Sequence, residues 1–343
     1  MALTFPSDLD AWRRWQNSRN RLRRARDLVR RPAPPTLWLA SNGPEPALLV
    51  VVDSTTPSSV AAFTEPLRHL ADAPVAVLAL ADVSAHLPGE WTARALDGLE
   101  LPHELGAVRT VFAAGHFLPA GVTAHAWART LGARFVVAQH GLLTTWAPPL
   151  PAEAHLLAFS DADARYWASG RTDLTHEVVG SQLFWRARQR ELTPDSAARP
   201  IFLGQLHGAE LPRQASARSA RHFCESTGAT YRPHPSETDR LSRLQHAQWR
   251  RQGIEFDTSG IALSENRRPV ASIFSTGVLE AAAAGIPAWV SAVRPPAWVV
   301  DCWERYDMSE WGGAPTPSPN VPDLEPARAV AAGLGRLMAG EGR

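Results

Sequence analysis

Lysine is absent from this chain. All 35 residues counted as Lys or Arg are arginine, which reads as the codon bias of a GC-rich genome and carries no mechanism. Cysteine is nearly absent: Cys224 and Cys302 are the only two. So few exclude a disulfide framework and a cysteine-rich metal spacing, and a reducing, cytoplasmic location is the expectation. Net charge is close to absent as well. At +1 over 343 residues, no global field calls for nucleic acid, and none is expected as a partner. No apolar run approaches the ~20 residues that span a bilayer. The N-terminus lacks the apolar core and cleavage site of a secretory signal. Tyrosine is scarce, 3 against 13 Trp, and that ratio has no physical explanation here.

What the chain does contain is a basic helix followed by two runs of strand–helix alternation. Ser7 and Asp10 have capping-box spacing, and Asp8 adds negative charge to the first turn. Leu9, Trp12, Leu22, Ala25 and Val29 then fall roughly on one helical face, with Trp15 beside it. Nine arginines lie between Arg13 and Arg31, and Pro32, Pro34 and Pro35 end the segment. One reading is an interfacial helix on anionic lipid, with Trp12 and Trp15 at headgroup level. Another is a solvated basic face on a helix packed against the body, which the break in the stripe around residues 16–19 favours. A nucleic-acid patch is a third, weakened by the lack of interleaved aromatics.

From residue 36, apolar strands are expected at 37–40, 47–52, 75–80, 108–113, 134–138, 156–159 and 177–179. Helices are expected at 58–70, 92–99 and 124–131. A second run begins after Pro200, with strands at 201–203, 230–232 and 270–274 and helices at 216–227, 237–252 and 278–284. Residues 185–198 between the runs are polar and suit a hinge. Residues 312–320 suit a loop, and 325–338 a last helix. Continuous apolar strands alternating with helices are the pattern of parallel sheets covered on both faces. The expected fold is therefore α/β: two doubly wound Rossmann-like domains, 34–190 and 198–343, facing a cleft, after a helix and linker over 1–33. In such folds ligands bind at the carboxyl ends of strands.

Three short segments sit just after predicted strands. Ile273 to Glu280, followed by four alanines and Gly285-Ile286-Pro287, reads as strand, small-residue turn and short helix. Its turn leaves N–H groups free at a positive helix end, a place for phosphate. Glu280, one turn in, either reaches a ribose hydroxyl or merely complements the helix N-terminus. Gln139-His140-Gly141 follows the strand at 134–138. Arg232-Pro233-His234-Pro235-Ser236-Glu237 follows the strand at 230–232. His207 and Gly208 after the strand at 201–203 are candidates to touch a diphosphate. His116 and Asp53, after other strands of the first run, are candidates for the acceptor side. Asp161 and Asp163 have the spacing of a metal motif but open a helix and are read as a cap, so no metal site is expected.

In this order, Gln139-His140-Gly141, Arg232-Pro233-His234-Pro235 and Ser275-Thr276-Gly277 with Glu280 and Gly285-x-Pro287 resemble the two-domain GT-B glycosyltransferases. More narrowly, they resemble bacterial transferases of capsule and teichoic-acid synthesis: CDP-glycerol glycerophosphotransferases, polysialyltransferases and Kdo transferases. Non-hydrolysing UDP-GlcNAc 2-epimerases share the layout. The resemblance spans most of residues 36–340, but only these motifs are specific. It implies that His140 is the catalytic or acceptor-side histidine, with Gln139 and Gly141 beside it. It implies that His234 and Pro235 contact the nucleotide phosphate, that Ser275, Thr276 and Gly277 bind donor phosphate, and that Glu280 partners the ribose. The implied activity is transfer of a sugar or polyol phosphate from a CDP-, CMP- or UDP-linked donor to a hydroxyl of a polymer or lipid-linked acceptor, at the inner face of the membrane, with no cofactor. Two departures bear on this. Phe274-Ser275-Thr276-Gly277 stands where the teichoic-acid enzymes carry an aspartate–tyrosine–serine–serine-like string. The epimerases' paired glycines and glutamates are single here, and their base carboxylate finds only Asp53. An epimerase, or a GT-B-like scaffold without activity, is the alternative.

Overall fold

The alternation of apolar strands produces two sheets in separate parts of the chain. A computed structural model describes residues 2–19, 35–70, 73–190 and 192–340. Contacts divide it into one unit of Ala2–Gln182 with Pro322–Arg343 and another of Leu183–Val321.

The first unit is built on an eight-stranded mixed sheet in the order β4-β1-β3-β2-β5-β6-β7-β8. Its centre is parallel: β2 (Leu48–Val52), β3 (Val75–Ala79), β5 (Thr110–Ala113), β6 (Arg134–Ala138), β7 (His155–Ala158) and β8 (Thr175–Val178). Along β2, Leu49 and Val51 pack with Ala120, Ala124 and Trp127 of α2 (Pro119–Leu131). Leu48, Val50 and Val52 pack with Phe63 and Leu67 on the other face. Phe63 and Leu67 belong to an irregular helical segment over residues 57–69. Both faces of the sheet are thus covered, which is why these strands read as unbroken apolar runs.

Some expectations give way. Residues 92–99 were expected to be helical, but Thr92–Ala95 is the edge strand β4. It pairs antiparallel with β1 (Trp38–Ser41), which itself runs antiparallel to β3. Thr-Ala-Arg-Ala has no strong preference, and the open edge of β1 decides. Residues 322–343 were expected to belong to the C-terminal domain. Instead α9 (Pro326–Met338) lays Val330, Ala331 and Leu334 on the core beneath β2. Gln182 secures it, donating to Glu325 at 3.0 Å and accepting the Ala327 N–H at 2.9 Å. An amphipathic stripe says that a helix is covered but not by which sheet. The polar stretch read as a hinge over 185–198 opens inside a helix, α4 (Gln182–Arg188).

The N-terminal helix α1 spans Leu9–Arg19. Residues 20–34, with most of the arginines, lie outside the described residues. Its cap is Asp8, whose Oδ1 accepts the Ala11 N–H at 2.7 Å, and not Ser7. Trp12 is buried and donates to the Trp146 carbonyl at 2.8 Å. Trp15 stacks on Trp146 with centroids 4.5 Å apart. The rings on which docking to lipid was expected to rest are engaged by the protein itself. Adding anionic vesicles is therefore expected to leave tryptophan emission unshifted, and binding through arginine alone to vanish as salt rises. A blue shift on vesicle addition would show that α1 leaves this packing for the interface.

The second unit holds a parallel sheet in the order β10-β9-β11-β12, formed by β9 (Ile201–Leu203), β10 (Thr230–Arg232), β11 (Val270–Ser272) and β12 (Ala288–Val290). The helices are α5 (Arg213–Thr227), α6 (Arg240–Arg251), α7 (Thr276–Ala283) and α8 (Ala297–Arg305). Neither β12 nor α8 was expected from the sequence. Among the described residues no helix is long and apolar enough to cross a membrane.

Candidate functional sites

Strand order locates two candidate sites, one in each unit. In an open parallel sheet the crevice lies where neighbouring strands send their connections in opposite directions. In the sheet of residues 183–321 that point is between β9 and β11. In the eight-stranded sheet it is between β2 and β5.

At the first point, the loop after β9 carries His207, the loop after β10 carries His234, and β11 leads into Ser275 and α7. The two imidazoles stack with centroids 3.7 Å apart and planes 16° from parallel. His234 Nδ1 accepts the Ser236 N–H at 3.1 Å. A neutral His234 therefore carries its proton on Nε2, a donor available to a ligand. Burial, then the neighbouring His207, push His234 down to about 4, against the pull of Glu237. Burial also lowers His207, opposed by Glu237 and Glu210. Both shifts favour the neutral ring, which suits a 3.7 Å stack. An anion placed on the pair would favour the charged form and draw in a proton.

Ser275 caps α7, its Oγ accepting the Gly277 N–H at 3.1 Å. Thr276 is the first residue of that helix. The turn was expected to leave N–H groups free for phosphate; instead Ser275 takes the Gly277 N–H on its Oγ and the Val278 N–H on its carbonyl. Gly277 also carries a packing constraint. A Cβ there would lie 2.6 Å from Leu203 Cδ1 and 2.7 Å from Leu263 Cδ2, so packing demands glycine. Gly277→Ala is expected to cost about 1–3 kcal/mol of stability as overpacking, read as a lower Tm. An unchanged Tm would return Gly277 to the ligand. Pro235 is exposed. Gly208 has only the mobile end of Glu210 near its missing Cβ, at 2.9 Å.

The side chain of Glu280, half-buried on α7, makes no hydrogen bond among the described residues. Burial pushes its carboxyl up to about 7, with Arg232 and Arg186 pulling it back. A carboxylate buried at such cost, with two arginines acting on it and no side-chain hydrogen bond among the described residues, can accept from an external donor.

Residues that drew no attention in the sequence hold this site together. Gln205 Oε1 accepts from Ser272 Oγ at 3.0 Å, Ile273 N at 3.2 Å and Phe274 N at 3.1 Å, tying the ends of β9 and β11. Glu237, in the quoted His-Pro segment but given no role there, is buried and accepts from Leu206, Tyr231 and His246. A glutamine after a strand and a glutamate two residues beyond a proline carry no signal of such bonds.

At the other point, Asp53 follows β2 and His116 follows β5, with His140 beyond β6. Asp53 Oδ1 accepts the Ala120 N–H at 3.0 Å at the start of α2. Its Oδ2 is enclosed with no partner, and burial raises its pKa against the Ala120 and Gly121 N–H groups. His116 Nδ1 is likewise enclosed and unpartnered. Burial, then His125, Arg13 and Arg171, push it down to about 4. His140 Nδ1 is the third such atom. Its ring lies 5.7 Å from Phe63, and burial lowers its pKa, the Ala138 carbonyl opposing. Three adjacent strands in the order β2-β5-β6 thus each end near an unsatisfied buried polar atom, which asks for an explanation.

Gln139 behaves otherwise than expected. Its Nε2 donates to the Gly141 carbonyl and to Asp163 Oδ2, both at 3.1 Å, and its Oε1 accepts the Phe159 N–H at 2.9 Å. Gln139 and Gly141 therefore shape the loop that presents His140. The Asp161/Asp163 pair belongs to α3 (Asp161–Ala168), which Ser160 caps through the Asp163 N–H. Asp161 faces His176 at 3.3 Å. Among the described residues no group of three or more His, Cys, Asp or Glu is arranged to hold a metal.

Compared with known families, curated proteins and solved structures, the chain matches none.

Proposed function

We propose that this chain is a GT-B-type transferase that moves a sugar or polyol phosphate from a nucleotide-activated donor to a hydroxyl acceptor in cell-envelope polymer synthesis. The observation that carries the reading is the stacked His207–His234 pair at the switch point of the smaller sheet, whose next strand leads into the capped start of α7 and Glu280. A nucleotide diphosphate needs donors for its phosphates and an acceptor for its ribose. The imidazole N–H groups and the Ser275 hydroxyl, with the positive end of α7 behind it, supply the first, and Glu280 the second. The leaving nucleotide takes up negative charge, and a proton drawn onto the pair offsets it without need of a metal. His140, kept neutral by burial, has an open Nδ1 lone pair to receive the acceptor's proton. The Nδ1 atom is enclosed, so acceptor binding has to part the groups above it.

Titration of CMP, CDP, UMP and UDP into the full chain by calorimetry tests this reading. One nucleotide is expected to bind in the micromolar range and thereby name the donor class. Absence of binding by all four would overturn it in favour of a GT-B-like scaffold without activity.

A second reading has its own observation. Asp53 places an enclosed, unpartnered carboxylate oxygen at the other switch point, as an epimerase base that abstracts a sugar C2 proton would require. Incubation with UDP-GlcNAc in deuterated water separates the two. Deuterium at C2 supports epimerase chemistry, and its absence alongside nucleotide binding supports transfer.

A further inference from the structure

We infer that Glu237 is a positioning residue, whose buried carboxylate ties the loop after β9 to the loop after β10 and so holds His207 against His234. This rests on the reading of that pair as a donor-phosphate site and adds the device that sets its geometry.

The bonds run to three different elements. Oε1 accepts the Leu206 N–H at 3.0 Å, one residue before His207. The Tyr231 hydroxyl on β10 donates to Oε2 at 2.8 Å and lies 3.1 Å from Oε1. His246 Nε2 on α6 donates to Oε2 at 2.9 Å. Glu237 is also fixed at its own backbone, because its N–H donates to the His234 carbonyl at 2.8 Å. Glu237 is therefore bonded next to both histidines, beside His207 through its carboxylate and to His234 through its own backbone N–H. Its side chain has no exposure and that of His246 has 8%, so solvent does not weaken these bonds.

The surroundings are shaped to admit it. At Gly204 a Cβ would lie 2.3 Å from the Tyr231 hydroxyl and 2.7 Å from Glu237 Oε1, so the missing side chain is what lets the β9 exit approach the carboxylate. Arg213, from α5, donates to the Leu206 carbonyl at 3.1 Å and to Ser242 Oγ at 2.9 Å, holding the same loop from outside. A residue needed only for stability would not have to bond beside both members of a ligand-facing pair. Oxygen atoms that accept three donors also resist replacement by an amide, which must turn one donor group toward another.

Glu237→Gln and Tyr231→Phe test the assignment. The first readout is the imidazole NMR signals of His207 and His234 in the ligand-free full chain, where stacking gives mutual ring-current shifts and cross-ring contacts. The second is affinity for the four nucleotides. Glu237→Gln is expected to abolish the cross-ring contacts and weaken nucleotide binding about tenfold. Tyr231→Phe, which leaves two of the three donors in place, is expected to move both readouts in the same direction by about two- to fivefold in affinity. A folded Glu237→Gln chain with the stack intact would overturn the inference. Should that variant not fold, an unaltered stack in Tyr231→Phe would do so. Failure of the unsubstituted chain to bind any nucleotide would sink the donor-site reading alone, since the stack readout needs no ligand.

Discussion

Replacing His140 by Ala is expected to lower turnover by about 10²–10⁴-fold while leaving nucleotide affinity within twofold. That is the range for removing a general base that acts on the acceptor and not on the donor. The reason is the state of the ring. Burial disfavours the imidazolium, so the ring is neutral at pH 7, and its Nδ1 has no partner. Transfer from the bound donor to an added hydroxyl acceptor, or to water in its absence, gives the rate. Turnover is expected to hold steady from pH 7 to 8 at this group and to fall in acid once the ring is protonated. Equal turnover in the variant would leave His140 as a core histidine beneath Phe63.

Glu280→Gln is expected to weaken nucleotide binding by about 1–3 kcal/mol, the cost of losing a hydrogen bond to a charged group. The pH dependence gives this substitution a second signature. A ribose hydroxyl donates to the ionised carboxylate, so the affinity gap between the two proteins should widen as pH rises through about 7. Stability should move the opposite way. A carboxyl whose folded pKa lies above its unfolded value binds more protons when folded. Its contribution is therefore complete below about 4.5 and lost as pH rises through about 7. The ligand-free Gln variant should accordingly melt above the unsubstituted protein at pH 8, the difference closing in acid. Lower affinity with higher stability would mark a residue kept for its ligand. Unchanged affinity would return Glu280 to a helix carboxylate.

Positions at strand ends were legible because they follow directly from apolar runs. Asp53, His116, His140, His207, His234 and Ser275 were all picked out by position after an apolar run, and each lies at the carboxyl end of a strand. The alternation itself was readable because strands covered on both faces have to be apolar throughout. What the sequence concealed depends on partners far along the chain. Gln139 looked like part of a catalytic string, but its amide is used up on Gly141, Phe159 and Asp163. Gly277 was read as part of a phosphate turn, and its packing against Leu203 and Leu263 was not readable. Trp12 and Trp15 were open to a membrane or to packing, and the sequence could not name Trp146 as the residue that takes both. Glu237 stood in the His-Pro segment with no role, but it is buried and bonded to Leu206, Tyr231 and His246. Each of these outcomes is set by a contact that no local pattern encodes.

The central claim is that a nucleotide's phosphates sit on the His207–His234 pair at the exits of β9 and β10, with its ribose at Glu280. Amide and imidazole chemical-shift mapping of the full chain during nucleotide titration tests it most directly. Saturating shifts are predicted at His207, His234, Ser275, Thr276 and Glu280, with both imidazoles moving toward their protonated positions as the phosphates bind. Saturable binding whose shifts fall elsewhere, with these five residues unmoved, would contradict it.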